Sequence, residues 1–284
     1  MSAAPETTIV PVSRPWLAVW TLSRRELVRF FRQRNRVIGA IGQPVIFWLL
    51  FGAGLGSSFR LPGGEESGVS YREFFFPGTL VLILLFTAIF ATISIIEDRR
   101  EGFLQSVLVA PIPRWAMVLG KVLGGSLIAL LQGILFLLLA LTLDLSFSPL
   151  QIVSLIGFMA LVAVSLTCLG MLIAWRMDST QGFHAIMSVF LMPMWLLSGA
   201  FFPVPAGASE TWLQWGLGWV MRANPLTYAV AGMRRLLYVE SPGRGLPLET
   251  PAMTTCLIVT AVSTVVLLAA ATRIARRPVK GDLL

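Results

Sequence analysis

The sequence predicts an all-α integral membrane protein with six transmembrane helices. Hydrophobic residues make up 56% of the 284 positions and charged residues only 13%, and the mean hydropathy is +0.80. The apolar residues are gathered into six runs that match the roughly 20 residues a helix needs to cross a bilayer. The runs, which define one transmembrane domain over 37–284, are 37–56, 76–96, 115–143, 150–174, 183–202 and 252–272.

An amphipathic helix is predicted before the first run, within residues 1–36. On a helical wheel one face carries the aromatic and aliphatic side chains, and the opposite face carries the basic ones. The apolar face is Trp16, Val19, Trp20, Leu27, Phe30 and Phe31, and the basic face is Arg25, Arg29 and Arg32. Such a helix lies in the membrane interface. Anchoring to anionic headgroups explains it, and the alternatives are a moving gate or a docking surface. Its length and charge predict that it is not a secretory signal peptide.

The first two predicted spans differ in their use of glycine and proline. Five glycines between Gly39 and Gly56 predict that the first span packs closely against other helices. The second span is predicted to open at Phe76-Pro77-Gly78, with proline in the first helical turn, where its missing N–H costs little.

A charged segment, residues 97–114, separates the second and third spans and is predicted to lie in water. Its apolar residues Phe103, Leu104, Val107 and Leu108 recur with helical spacing, and Pro111 and Pro113 follow. The pattern predicts a short helix over 101–108 on the membrane face. In the third span, Lys121 is expected to extend to the surface, and Gln132 to hydrogen-bond a neighbouring helix.

The later part of the chain carries a fifth span broken by Pro193 and a long segment at 203–251. This segment contains Trp212, Trp215 and Trp219 at helical spacing, followed by an Asn224-Pro225 helix start. Two short re-entrant or interfacial helices are therefore predicted, because neither can span a bilayer. Cys168 and Cys256 lie in apolar runs and are expected to pack as small hydrophobic residues.

The distribution of basic residues predicts the orientation. Of the 22 Lys and Arg, fifteen lie on the side of both termini and the charged segment, six lie on the opposite side, and one, Lys121, lies within the third span. Positive residues accumulate on the cytoplasmic side, so both termini are expected to be cytoplasmic. The net charge of +8 thus reflects topology, and nucleic acid is not expected as a partner.

The sequence lacks the motifs of several classes of enzyme and of metal sites. The chain has no phosphate-binding GxxxxGK[ST] loop, because Gly120-Lys121 is followed by Val122, and it has no HExxH or GxSxG motif. No Cys, acidic residue or second His is spaced to join His184 in a metal site. The chain is therefore expected to be neither an enzyme nor a metal protein. A passive channel or scaffold remains open, whereas a membrane-embedded enzyme lacks a paired acid, base or nucleophile.

Three stretches resemble those of ABC-2 type transporter permeases. They are Glu97 to Lys121, with its acidic and basic cluster, glycine, Leu-rich turn and proline; Phe76-Pro77-Gly78; and Asn224-Pro225-Leu226-Thr227-Tyr228 through Arg234. The resemblance covers nearly the whole chain. It departs from the family pattern at Ala231, where an acidic residue is expected.

The resemblance implies roles for several groups of residues. The short helix becomes a coupling helix that contacts a separate ATPase subunit, and the N-terminal helix becomes a gate helix. The implied coupling residues are Glu97, Arg99, Arg100, Glu101, Gly102, Pro111 and Arg114. The implied gate residues are Trp16, Trp20, Arg25, Arg29 and Arg32, and the outer motif is Asn224, Pro225, Tyr228 and Arg234. ATP and Mg would bind the partner, and this chain would bind no cofactor.

The resemblance also implies an exporter in the cytoplasmic membrane, built with a second permease copy or a paralogue. An amphiphilic, drug-like or lipid-like substrate is favoured by the lack of charged residues along the spans. Export of a lipid-linked polysaccharide is the alternative. The candidate path residues are the aromatic Trp48, Phe51, Trp195, Phe201 and Phe202, although packing in the core or against lipid also explains them.

Overall fold

The computed structural model describes residues 14–33, 71–143, 147–201, 212–238 and 250–277, with isolated positions between 37 and 54. Within these ranges the chain is helical. The helices are α1 (Pro15–Arg32), α2 (Tyr71–Ala91), α3 (Ile93–Arg100), α4 (Phe103–Val109), α5 (Arg114–Leu137), α6 (Pro149–Trp175), α7 (Thr180–Trp195), α8 (Trp212–Ala223), α9 (Pro225–Leu237) and α10 (Met253–Ile274). A 3-10 turn, Leu138–Leu143, extends α5, and a π turn, Leu196–Ala200, extends α7.

Five helical segments are long and apolar enough to cross a membrane: Tyr71–Arg100, Arg114–Leu143, Pro149–Trp175, Thr180–Ala200 and Met253–Ile274. They correspond to the second through sixth predicted spans and confirm the all-helical membrane class. The first predicted span, 37–56, lies largely outside the described residues, although several of its described positions are helical.

The segment formed by α2 and α3 is the centre of the bundle. Its most apolar window is 89% buried within the protein, and α2 packs against both α5 and α6. Large apolar side chains of this segment, such as Phe74, Phe75 and Phe76, are enclosed by protein on all sides. Displacement of this central segment must therefore move its neighbours, because close-packed interiors transmit strain.

The predicted position of Pro77 at the start of the second span is wrong, because α2 begins six residues earlier, at Tyr71. A proline inside a helix leaves the carbonyl four residues before it without its usual donor. For Pro77 that carbonyl belongs to Glu73, and the Tyr238 hydroxyl donates a hydrogen bond to it at 2.6 Å. A side chain from the end of α9 thus replaces the missing backbone donor.

The break in the fifth span lies beyond Pro193. Helix α7 continues through Pro193 to Trp195, and the irregular backbone occurs at Leu197 and Gly199, whose φ is +76°. Only glycine adopts such a backbone without strain. The fifth span is therefore broken, but the break lies several residues after the predicted position at Pro193.

Three polar residue types predicted from the sequence have defined places inside the bundle. The Thr87 hydroxyl donates to the Gln132 side-chain oxygen at 2.5 Å, which confirms the predicted interhelical role of Gln132. Asn224 accepts a hydrogen bond from the Leu226 amide and caps α9, as predicted. Cys168 and Cys256 are buried free thiols, so the prediction that they pack as small hydrophobic residues is also confirmed.

Candidate functional site

A cluster of charged side chains lies where α1, α3, α4 and α5 meet, at one end of the bundle. The chain reverses at Gly102, whose φ of +79° is in the left-handed region, and α4 follows directly. Ala110 is extended ahead of Pro111 and ends α4. The short helix predicted over 101–108 is thus present at Phe103–Val109, attached to the central segment of the fold.

Asp98 is the centre of this cluster. Its side chain is fully buried and accepts hydrogen bonds from Arg25 at 2.7 and 3.0 Å and from Arg29 at 2.9 Å. The Lys121 ammonium also donates to Asp98. The expectation that the whole charged segment lies in water is therefore wrong for Asp98, and it is also wrong for Arg99, which is buried. A buried carboxylate needs such partners, because its desolvation costs several kcal/mol.

Lys121 does not extend to the surface as predicted. It is buried and donates to Glu26 at 2.5 Å as well as to Asp98. Glu26 is itself buried on α1, and Arg25 lies 3.6 Å from it. We name this group of Arg25, Glu26, Arg29, Asp98 and Lys121 the ion-pair cluster.

The edge of the ion-pair cluster is open to solvent. Arg29 reaches Glu97 at 2.8 Å and the largely exposed Glu101 at 3.4 Å. Burial opposes the charge on Arg25, but its hydrogen bond to Asp98 and the charges of Asp98, Glu26 and Glu101 outweigh that cost and raise the pKa of Arg25. Arg25 therefore stays charged. Its guanidinium also stacks on Phe103 of α4 at 3.8 Å, which attaches α4 to α1.

Two glycines allow α1 to lie against α5. Gly120 and Gly124 form a GxxxG pattern, which permits close backbone approach between membrane helices. A Cβ atom at Gly120 would lie 2.9 Å from Leu22 Cβ, and one at Gly124 would lie 2.7 Å from Glu26 Cβ. The Ser23 hydroxyl donates to the Gly120 carbonyl at 2.8 Å. This contact brings Glu26 within reach of Lys121.

Arg99 joins the charged segment to the turn between α6 and α7. It donates to the Trp175 carbonyl at 3.0 Å and the Met177 carbonyl at 3.1 Å, and it lies 5.6 Å from the Trp175 ring centroid. Cations are stabilised near the carbonyls at the end of a helix. Adjacent residues of α3 therefore contact different helices, Asp98 on the side of α1 and α5 and Arg99 on the side of α6.

The remaining predicted coupling residues form the outer surface of this region. Arg100, Glu101, Gly102 and Pro111 are exposed, and Glu97 and Arg114 are half-buried. On α4 the apolar Val109 is 80% exposed. A surface that combines an exposed apolar residue with charges of both signs is suited to contact a partner protein.

The predicted gate residues separate into two groups. Arg25 and Arg29 belong to the ion-pair cluster, whereas Arg32 is exposed, as are Trp16, Trp20 and Phe31. The buried stripe of α1 consists of Val19, Leu22, Ser23, Glu26 and Phe30. The predicted apolar face included Val19 and Phe30 of this stripe. The expected division into two faces did not separate them from the exposed aromatic residues, and it left out Leu22, Ser23 and Glu26. The buried stripe contacts α5 between the exposed aromatic and basic sides.

The candidate path aromatics in the described residues lie in the core. Trp48 and Trp195 are buried; Trp48 contacts Phe76 and Phe136 edge-on, and Trp195 donates to the Gly78 carbonyl at 2.9 Å. Phe201 is half-buried against Phe75. Phe51 and Phe202 lie outside the described residues. In this single chain Trp48 and Trp195 therefore pack in the core, which is the alternative to a position along the transport path.

The outer motif is far from the ion-pair cluster and joins α9 to α2 and α7. Asn224 donates to the Met194 carbonyl at 2.6 Å, and the Tyr228 hydroxyl donates to the Arg222 carbonyl at 3.0 Å. Arg234 is buried, donates to the Phe74 and Gly199 carbonyls at 3.2 Å and stacks on Phe74. Pro225 is exposed at the start of α9. These contacts hold α9 against the opposite end of α2.

Sequence reasoning missed Glu26, Asp98, Gly120 and Gly124 as parts of the site. Glu26 lies in the buried stripe of α1 and Lys121 lies in an apolar span, and buried charges are usually paired. The Gly120–Gly124 spacing was the signal for the helix contact. Which charges pair could not be read from the sequence, since Asp98 and Glu101 offered equal partners for the arginines.

Comparison with known proteins agrees with this architecture. The sequence model of the ABC-2 type transporter family matches residues 17–238. The putative transport permease ycf38 of Cyanophora paradoxa is 28% identical over 227 residues, which cover 78% of this chain and 74% of that protein. The inner membrane transport permease YadH of Escherichia coli K12 is 26% identical over 77% of this chain and 82% of its own length. Nodulation protein J of Sinorhizobium fredii is 28% identical over 66% and 70%.

Proposed function

Because this chain belongs to the ABC-2 type transporter family, we propose that it is the membrane subunit of an ATP-driven exporter. A separate ATPase subunit binds α4 and the residues around it, and both ATP and Mg bind that partner. The permease resides in the cytoplasmic membrane with both termini in the cytoplasm. Two permease subunits, identical or paralogous, enclose the transport path.

The observation that carries this proposal is the attachment of a partly exposed helix, α4, to the most buried segment of the fold. Helix α4 presents Val109 and the nearby Glu101 to solvent, while Asp98 at its base is buried among three cations. Breaking one buried ion pair by removing a partner costs about 3–5 kcal/mol. The base of α4 therefore resists local unfolding, and a force on α4 displaces whole helices.

Two connections distribute that displacement. Through Asp98, movement of α3 draws α1 and α5, and through Arg99 it draws the turn at Trp175 and Met177 before α7. In the proposed mechanism, ATP-driven closure of the partner subunits pushes α4 and shifts the first, second and fifth spans around the dimer axis. The permease performs no chemistry itself.

We propose an amphiphilic, drug-like or lipid-like substrate. Acidic and basic residues of the five described candidate spans concentrate near the span ends, and α6 contains no Asp, Glu, Lys, Arg or His. A path with so few charges favours a molecule that brings little charge of its own. Reconstituted vesicles containing the permease and its ATPase should therefore move a fluorescent short-chain phospholipid in an ATP-dependent manner. Transport of a lipid-linked oligosaccharide instead would favour the alternative.

Glu101→Lys is expected to abolish copurification of the ATPase. The substitution reverses the charge of an exposed residue beside α4 and places an ammonium next to Arg29. The tagged full-length permease is isolated from its native membrane in mild detergent, and the copurified ATPase is quantified. Asp178→Lys, also exposed but outside α3 and α4, is the matched charge control.

Retention of the ATPase by Glu101→Lys together with loss by Asp178→Lys would place the contact on the α6–α7 turn instead. Absence of an ATPase from the wild-type preparation would contradict the exporter proposal and favour a channel or scaffold. Equal loss in both variants would show that overall charge, rather than the α4 region, governs association.

Arg99→Lys is expected to uncouple ATP hydrolysis from transport while leaving ATPase binding intact. Lysine keeps the positive charge but cannot direct two N–H groups at the Trp175 and Met177 carbonyls in the geometry of the guanidinium. We expect substrate movement per ATP to fall about tenfold, which corresponds to loss of one charge-assisted hydrogen bond. Unchanged transport per ATP in this variant would remove Arg99 from the mechanism.

A further inference from the structure

We propose that the exposed basic side of α1 binds the phosphate of an anionic phospholipid through Arg24 and Arg32. An open groove of about 740 Å³ runs along this side of the helix. It is lined by Thr21, Arg24, Arg25, Val28, Arg29, Arg32, Gln33 and Glu101. Glu101, a residue of the proposed contact with an ATPase, lines one part of this groove, whereas Arg24 and Arg32 are not residues of that contact.

The four arginines of the groove have different surroundings. Arg25 and Arg29 are neutralised by Asp98, Glu97 and Glu101. Arg24 and Arg32 are exposed, and none of the salt bridges among the described residues involves them. Arg24 and Arg32 lie on the same side of α1, about two helical turns and about 12 Å apart along the helix axis. The small side chain of Val28 lies between them. The groove thus retains two positive charges for an external anion.

The aromatic residues of α1 place this groove at the membrane surface. Trp16 and Trp20 are 69% and 67% exposed, and such tryptophans favour the headgroup level of a bilayer. Trp16 contacts Trp115 edge-on with 5.5 Å between ring centroids, and Trp115 is the second residue of a membrane-spanning helix. The contact fixes α1 at the depth where that span meets water. On a helical wheel Arg24 is adjacent to Trp20 and Phe31, so it lies beside the exposed aromatic side chains of α1.

Phosphate is the anion that best fits these residues and this depth. Guanidinium groups donate paired N–H bonds to phosphate oxygens, which gives more specificity than a point charge. Lipid phosphates lie at the headgroup level, where the exposed tryptophans place α1. An anionic headgroup also leaves a net negative charge that Arg24 and Arg32 can neutralise, which a zwitterionic headgroup does not.

Titration of the purified full-length permease with phosphatidylglycerol in detergent, read by native mass spectrometry, tests this site. Wild-type protein should retain phosphatidylglycerol in preference to phosphatidylcholine of the same chain length. Arg24→Gln with Arg32→Gln should weaken this binding about tenfold or more, because charge-assisted hydrogen bonds are lost. The matched control is Arg276→Gln with Arg277→Gln, which removes the same charge from exposed residues after α10.

Two further arms define the chemistry of the bound group. Arg24→Lys with Arg32→Lys keeps the charge but loses the paired geometry, so it should also weaken binding. Inorganic phosphate and glycerol phosphate should fail to displace the lipid if the membrane-bound molecule is the ligand. Displacement by either would identify a site for a free phosphate compound and overturn the lipid assignment.

Three results would reject the site. Equal losses in the groove variant and the Arg276 and Arg277 control would mean diffuse attraction to anionic lipid. Full binding by the double lysine variant would mean that charge alone suffices. Unchanged lipid binding with lost copurification of the ATPase would make the groove a protein-docking surface.

Discussion

Asp98→Asn is expected to lower the free energy of unfolding by about 3–5 kcal/mol, because it removes one partner of a buried ion pair. Asparagine removes the negative charge that Arg25, Arg29 and Lys121 share. Arg25 and Arg29 are partly exposed and can recover hydration, but Lys121 is buried and keeps only Glu26 as a charged partner. Titration of the purified permease with a denaturing detergent measures the change.

The control for this prediction is Glu101→Gln, which removes a charge of the same sign from the exposed edge of the cluster. Its effect should stay below about 1 kcal/mol, because exposed ion pairs contribute little to stability. Equal effects of Asp98→Asn and Glu101→Gln would contradict the importance of burial.

The partner of Asp98 provides a second check. Lys121→Met should destabilise the protein less than Asp98→Asn, because Asp98 keeps both arginines. The double variant should lose less stability than the sum of the two single changes, by about 1–3 kcal/mol, since neither partner is left without the other. Strict additivity would mean that Asp98 and Lys121 do not interact in the folded protein.

The sequence predicted features of the fold that depend on local pattern. Long apolar runs gave five spans close to their observed bounds, the Asn224-Pro225 pair marked the start of α9, and prolines marked the end of α4. Each of these depends on residues within one or two helical turns. The predicted position of Pro77 at a helix start was wrong because it depends on a residue far along the chain. Tyr238 supplies the hydrogen-bond donor that Pro77 lacks, and this allows the proline to lie inside α2.

The candidate site was predictable as residue types but not as an arrangement. Basic residues on α1 and charges between α3 and α4 were recognised separately, and the structure joins them through Asp98. Such pairing depends on the approach of α1 to α5, which involves residues more than 90 positions apart. A charge that pairs only after helices have packed is indistinguishable in sequence from one left in water, and for this reason the sequence alone predicts a solvated Asp98.

Gly124→Ala is expected to displace α1 from α5 and to separate Glu26 from Lys121. The new Cβ atom would lie 2.7 Å from Glu26 Cβ and 3.2 Å from the Ser23 carbonyl oxygen, so the backbone of α1 must move to make room. Overpacking of this kind costs about 1–3 kcal/mol, and separation of the buried ion pair adds to it. Because Glu26 reaches Lys121 only through this close contact, one methyl group should weaken the whole ion-pair cluster.

The matched control for this effect is Gly157→Ala on α6. No other part of the described structure lies within 4 Å of a Cβ atom there, so it should be neutral or stabilise the helix by up to about 1 kcal/mol. Spin labels on the exposed positions of Trp20→Cys and Leu127→Cys measure the separation of α1 and α5. The distance distribution should lengthen and broaden with Gly124→Ala and stay unchanged with Gly157→Ala. Unchanged distances in Gly124→Ala would contradict the displacement of α1. Longer distances with ATP-driven transport as in the parent protein would mean that close contact between α1 and α5 is not needed to transmit motion from α4.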